Sequence, residues 1–486
     1  MKSYLVFSFF FLSSVLMLGQ NRQLLFDFDE IPQSLMVNPG ADTNHKWHVG
    51  VPVISGFMVQ GATSGVTVND IFADDGVDIN LKVRERMIEG MNSRDDFSIT
   101  SQIEGFYVGF QGRNRPDNYY SFGMYGETDI IVYWPEDLAR LAFDGNGGPN
   151  IGRQFDLGDL NLRGEMTTVF HFGIRKKVRD NLTLGFRGKL YSNIFNHKST
   201  NNSGTFLTTE GEDNILSNSI TADMGLQTAG LNEIRDILRE DTDTTREDLT
   251  SLFTNRVLLG GNLGLGLDLG FTYELNEQTQ ISGSVLDLGF IYNSKDVLSY
   301  TLEGTAVNEG INVLLPEDIN TIGEDRWQQL VDEIEAALPF EENQDNYIML
   351  RPVKLYGSIT HDWGEGASGT RRENCGCAIN VRGGGNSEQY YRNRIGGLLY
   401  MIKRPLGVQA ALTGSYQRRF GRNFSVKTSY TIDKYSFSNI GLGLALKAGP
   451  VQFYILGDNL LSYQNIAGSN YASLQFGFNI LSWNDN

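Results

Sequence analysis

The sequence predicts an all-β protein: a transmembrane antiparallel β-barrel of about fourteen strands, with helical insertions in long extracellular loops. Three observations carry the prediction. Apolar residues recur at every second position over stretches often of about ten residues or more, the period of a strand with one apolar face and one polar or small face. The connections between those stretches alternate between short and long, as periplasmic turns and outer loops do in barrels. Beyond the N-terminus, no run of about eighteen apolar residues exists to form a spanning helix, and a barrel needs none.

The first nineteen residues, MKSYLVFSFFFLSSVLMLG, run from a charged start through an apolar body to small residues. That order is a secretory signal peptide over 1–19, with cleavage expected near Gly19–Gln20. Residues 20–45 form an N-terminal plug or extension, in which Leu24, Leu25, Phe26, Phe28, Leu35, Met36 and Val37 would be wasted in water. They are expected to fold into the lumen, since mid-sized barrels must be filled or plugged.

The barrel is assigned to 46–486, with strands at roughly 46–61, 97–112, 119–134, 160–177, 182–197, 257–275, 279–294, 347–363, 391–403, 407–420, 424–434, 438–448, 451–459 and 471–483. In the sixth, Leu263, Leu265, Leu267, Leu269 and Phe271 share a face opposite Gly264, Gly266, Asp268 and Gly270. In the last, YASLQFGFNILSW, Leu474, Phe476, Phe478 and Ile480 oppose Ser473, Gln475, Gly477 and Asn479. Tight turns follow the even strands at 114–118, 179–181, 276–279, 421–423 and 448–450, and long connections at 62–96, 135–159, 198–256 and 295–346 follow odd ones. The connection 364–390 breaks this rule. Trp47, Trp134, Trp363 and Trp483 fall at strand ends, as interfacial girdles require.

Glycine is abundant at 55 residues, aromatics make up 11% and cysteines number two, a composition suited to an exported all-β chain without a disulfide framework. A net charge of −18 argues against nucleic acid as a partner, because phosphate binding needs a basic face. The outer-membrane lipids are the partner that the fold itself implies. The location expected is the bacterial outer membrane.

Segments distributed along the chain carry a family likeness: IPQSLMVNPG (31–40), VGVPVISGF (49–57), SGVTVNDIF (64–72), YYSFGMYGETDIIVYWPEDLARLAFDGN (119–146), LTLGFRGKLYS (182–192) and GPVQFYILGDNLL (449–461). In their order they resemble a group of Bacteroidota outer-membrane barrels of unknown function, related to the PorV, PorP/SprF and fatty-acid-transporter-like barrels. The resemblance covers essentially the whole mature chain and implies a barrel of this size in the outer membrane. It implies no activity.

Motifs with chemistry are few. Cys375 and Cys377, in NCGCAIN, could form a local disulfide, bind a metal or pair with another chain, and a disulfide or paired thiols in a Gly-rich loop is the plainest reading. No nearby histidine completes a zinc site, and His45 and His48 lie at a strand entrance where helical pairing does not apply. GxSxG, HExxH and phosphate-loop motifs are absent, so no catalytic residue, cofactor or metal site is assigned and the chain is read as a non-enzyme. Within the acidic stretch 317–345, RWQQLVDEIEAAL (326–338) has helical spacing, as does LNEIRDILRE (231–240). Acidic, helix-bearing loops favour protein partners, so the first functional expectation is an accessory or anchoring component of a surface, secretion or gliding assembly. The alternative is a transporter of hydrophobic small molecules such as fatty acids.

Overall fold

A computed structural model describes residues 22–42, 45–211, 216–240, 245–309, 340–365 and 391–482. In chain order the strands are β1 (Trp47–Gly50), β2 (Phe57–Thr63), β3 (Asp96–Gly112), β4 (Arg115–Tyr133), β5 (Gln154–Asp156), β6 (Leu162–Arg179) and β7 (Leu182–Glu210). Next come β8 (Leu216–Ala229), β9 (Asn262–Glu274), β10 (Thr279–Asn293), β11 (Val297–Glu309), β12 (Phe340–Asn343), β13 (Tyr347–Leu350) and β14 (Lys354–Glu365). The chain closes with β15 (Tyr391–Arg404), β16 (Gly407–Phe420), β17 (Phe424–Ile432), β18 (Asn439–Ala448), β19 (Val451–Asp458) and β20 (Tyr471–Leu481).

These pieces make a closed, antiparallel, fourteen-stranded barrel. β1 and β2 are two halves of the first barrel strand, and β13 and β14 are two halves of the eighth. The ladder runs through β3, β4, β6, β7, β9, β10, β14 and then β15 to β20. Closure comes from β1 and β2, which pair with β20 on one side and β3 on the other. Every edge is thereby consumed, as hydrocarbon requires of a backbone with no water to bond.

Side chains sort as the alternation dictates. On β9 Leu263, Leu265, Leu269 and Phe271 are exposed on the outer face while Asp268 is fully buried inside. On β20 Gln475, Gly477 and Asn479 face in. Among the described residues no helix is long and apolar enough to cross a membrane.

The structure differs from the sequence reading in several places, among them the eighth strand, which breaks at residues 351–353 between β13 and β14. The first strand is interrupted at residues 51–56. The fifth continues past residue 197 to Glu210 because it leaves the membrane and pairs with β8, which in turn pairs with β11, building a sheet beyond the barrel from segments read as loop. The sixth begins at Asn262, since Arg256–Gly260 coils instead. Trp134 packs against Ile71, Val83 and Ile88 of the outer-loop helices. The helix expected at 231–240 is present as Asn232–Glu240, whereas Trp483, the 326–338 segment and the 1–19 leader lie outside the described residues.

Candidate functional site

The N-terminal segment is inside the barrel. Leu24, Leu25, Phe26, Phe28 and Ile31 pack against the inward side chains Tyr356, Leu398, Tyr400, Tyr454 and Leu456, with Phe26 stacked on Tyr356 at 5.0 Å. Leu35, Met36 and Ala41 pack against Tyr107, Tyr119, Tyr125 and Tyr191. Its backbone finds partners on the wall, as buried carbonyls must. Arg187 donates to the Leu35 and Met36 carbonyls at 2.7 and 2.6 Å, Ser284 to Val37 at 2.6 Å, and Thr272 to Gly40 at 2.9 Å. At Asn38–Gly40 the chain lies backbone to backbone against Gly185 and Gly270, where any side chain on the wall would overlap it.

Charge fixes the same segment. Asp29 pairs with Arg394 at 2.5 Å, Glu30 with Arg419 and Asp42 with Arg175, while Asp27 accepts from Ser282 at 2.8 Å. QRRFGR (417–422) thus supplies Arg419 to Glu30 of the acidic DFDE (27–30), while RKKVR (175–179) supplies Arg175 to Asp42.

The wall interruption lies against this segment. Gly50 pairs with Asn479 and Phe57 with Phe476, so six residues, VPVISG (51–56), face only Gly477 and Phe478. The surplus leaves the line of the wall: Val53 and Ile54 are 63% and 45% exposed, whereas Ser55 is fully buried against the inward faces of Gly50 and Gly477. Val53 has φ 69°, a conformation that a β-branched residue adopts only under constraint, at a cost of about 1–3 kcal/mol. The constraint is visible at Ser55. Its carbonyl accepts from Gln33 at 3.0 Å and from the Tyr454 hydroxyl at 3.2 Å, and its hydroxyl donates to Glu104 at 3.0 Å. Gln33 also donates to Glu104 and exchanges two hydrogen bonds of 2.9 Å with Asn479. One glutamine of the N-terminal segment therefore ties together three strands at the break.

Outside this contact the lumen is crossed by charge. An ion-paired chain runs Arg187–Asp268–Lys189–Asp287–Lys354–Glu127–Arg351–Glu165, each link between 2.5 and 3.0 Å. Four cations alternate with four anions, all buried, so the chain is locally neutral. A bulge in β10 between Val285 and Leu288 helps place Asp287 inside between two lysines. At the outer mouth a cavity of about 830 Å³ is lined by polar groups that include Arg94, Asp156, Asn161, Asn202 and Lys434. Lys434 pairs with Asp96.

Of the residues singled out in the sequence, Cys375 and Cys377 lie outside the described residues. His48 is buried in the wall with Nδ1 at 2.6 Å from the Tyr119 hydroxyl, and His45 contacts the Glu30 carbonyl at 3.0 Å, so the two do not share a ligand site. Among the described residues no group of three or more His, Cys, Asp or Glu is placed to hold a metal. Gln33, Ser55, Glu104 and Arg187 went unnoticed in the sequence, although the inward parity of Glu104 and Arg187 on their strands was a usable signal.

No curated protein matches the chain. Solved structures similar to it in overall fold include the toluene transporter TbuX of Ralstonia pickettii, with TM-score 0.40, 9% identity, and 96% of this chain and 97% of that one covered. The toluene transporter TodX of P. putida follows, with TM-score 0.37, 8% identity and coverage of 96% and 95%. A Pseudomonas aeruginosa FadL homologue has TM-score 0.36, 9% identity and 91% of each chain covered. The family model that matches does so over residues 39–458, which span nearly all of the barrel, so the chain belongs to the family of unknown function DUF5723.

Proposed function

We propose that this chain is a gated passive transporter that passes small apolar molecules through the outer membrane by way of the wall at residues 51–56, with residues 20–45 as its plug. The observation that carries the reading is the contact between Gln33 and the Ser55 carbonyl, which joins the lumenal segment to a strained break in the ladder. A break of this kind offers an apolar solute a sideways exit into lipid. Straight passage down the lumen would take the solute across eight buried charges, which disfavour apolar groups. The acidic loop that pointed to an assembly role lies largely outside the described residues, so the transport reading rests on the wall alone.

Cells lacking the protein and cells carrying it again are compared for uptake of radiolabelled toluene and oleate. Shortening 51–56 to two residues, which restores the register with β20, should leave a folded barrel and abolish the added uptake, while Gln33→Ala should raise it. Uptake that never responds to the protein, or that survives the shortening, would overturn the reading.

A further inference from the structure

A second lipid-facing device sits at the outer end of the same wall sector. β19 points Val451, Phe453 and Ile455 outward and Gln452, Tyr454 and Leu456 inward, so Gly457 belongs to the outward set. The space outside Gly457 is filled by the Tyr463 hydroxyl and the Leu460 side chain, 3.2 and 3.7 Å from where a Cβ would stand. The Tyr463 hydroxyl donates to the Ser473 carbonyl of β20. The short helix Leu460–Gln464 is therefore folded back onto the outside of the wall and does not cover the lumen.

Both ends of this connection are pinned. Asn459, in the left-handed conformation at φ 54°, turns the chain outward, donates its backbone N–H to Asn439 at 2.6 Å and returns its side-chain amide to the Tyr471 carbonyl at 2.8 Å. Between those points NLLSYQNIAGSN (459–470) contains no Asp, Glu, Lys or Arg, in a chain that is 20% charged. Leu461 and Ile466 are 62% and 58% exposed. Against the turn Ile466–Gly468 lies the helix Val68–Phe72, started by a reciprocal cap between Thr67 and Asp70, which leaves Phe72 71% exposed. Below them the exposed Val59 of β2 and Ile99 of β3 continue the apolar face of the barrel.

The geometry points to an apolar flange, formed by residues 459–470 and the helix 68–72, that is immersed in the outer leaflet and packs against lipid acyl chains. The segment 459–470 is uncharged, pinned on the lipid side of a strand and continuous with the apolar belt, and the helix that joins it has one charge, Asp70, engaged by Thr67. Its complement is hydrocarbon. The flange depends on the barrel lying in a membrane and is independent of the transport reading.

Nitroxide labels test it. Ile466→Cys, Phe72→Cys, the belt reference Val59→Cys and the water reference Val307→Cys, on the outer β11, are each made in a chain with Cys375 and Cys377 changed to serine. The proteins are labelled and reconstituted in phosphatidylcholine–phosphatidylglycerol vesicles, with folding of each checked by heat-shifted gel mobility. Collision with oxygen is then compared with collision with a water-soluble nickel chelate. The expected oxygen-to-nickel ratio at both 466 and 72 lies on the Val59 side of the midpoint between the two references. A ratio on the Val307 side at either position overturns the flange. So does exclusion of both reagents, which would show that a protein or a second copy covers the face.

Discussion

Gly477 shows how much one missing methyl group can decide. Its position on β20 lies against the Ser55 carbonyl so closely that a Cβ would overlap the backbone, with the Tyr454 ring only 2.7 Å away beside it. Gly477→Ala is expected to expel the 51–56 bulge from its bonds with Gln33 and Tyr454 and to cost about 1–3 kcal/mol in urea unfolding from detergent. A variant as stable as the parent would mean that the break is loosely held. Asp433, in the outer turn after β17, gives a second test. Its carboxylate accepts the N–H groups of Tyr435 and Ser436 at 2.7 Å, yet burial pushes its pKa up to about 7. The folded chain then holds this proton more tightly than the unfolded chain, so the stabilisation is fully present below about pH 4 and is lost as pH rises towards 7. Every tenfold difference in proton affinity between the folded and unfolded chains is worth about 1.4 kcal/mol. The urea midpoint should therefore decrease as the pH rises from about 4 to about 7, and Asp433→Asn should flatten that decrease. Contacts of this kind were hidden in the sequence for a plain reason. Glu30 and Arg419 meet in the lumen although they stand 389 positions apart in the sequence, and alternation reports which way a side chain points but not what it meets.

Strands were legible wherever one face met lipid. LGLGLDLGF announces its faces through the contrast between leucine and glycine, and the tight turns delimit it. β8 and β11 escaped notice because they extend into water with polar residues on both faces, as in LSNSITADMGLQTA, so no period of two stands out. VPVISG escaped for the opposite reason: it is apolar enough to read as uninterrupted strand, and only the count of residues against β20 shows the surplus. The N-terminal segment was legible through its apolar content, while its anchoring by Arg187, Arg394 and Arg419 was not. Removing residues 22–42 strips Arg187 of two carbonyl partners and leaves Arg394 and Arg419 without Asp29 and Glu30. Planar-bilayer recordings should show ion conductance in the truncated chain and little in the intact one. Equal conductance in both would show that the segment does not seal the lumen.

The ion-paired chain joins six neighbouring wall strands, β4, β6, β7, β9, β10 and β14, and reaches the N-terminal segment through Arg187. Parity shows that GETDI on β4 and FRGKL on β7 turn their charges inward. The partnering of those charges depends on closure and on the β10 bulge, which no local pattern encodes. Arg351 is the critical link, since it bridges Glu127 at 2.9 Å and Glu165 at 2.6 Å from the break between β13 and β14 and lies over the Tyr191 ring at 5.1 Å. Buried ion pairs add little net stability as a class, but removing one partner strands the other in low dielectric at a cost of about 3–5 kcal/mol. Arg351→Met should therefore lower the stability of the barrel by about that amount in urea titrations. Glu127 keeps Lys354 in that variant, so the loss should fall mainly on Glu165, whose remaining cation, Arg163, is 3.8 Å away. The double variant Arg351→Met with Glu165→Gln is then expected to recover much of the loss, because the stranded charge is gone. Simple addition of the two single effects would mean that the pair is not coupled and that the chain of charges is a row of independent bridges.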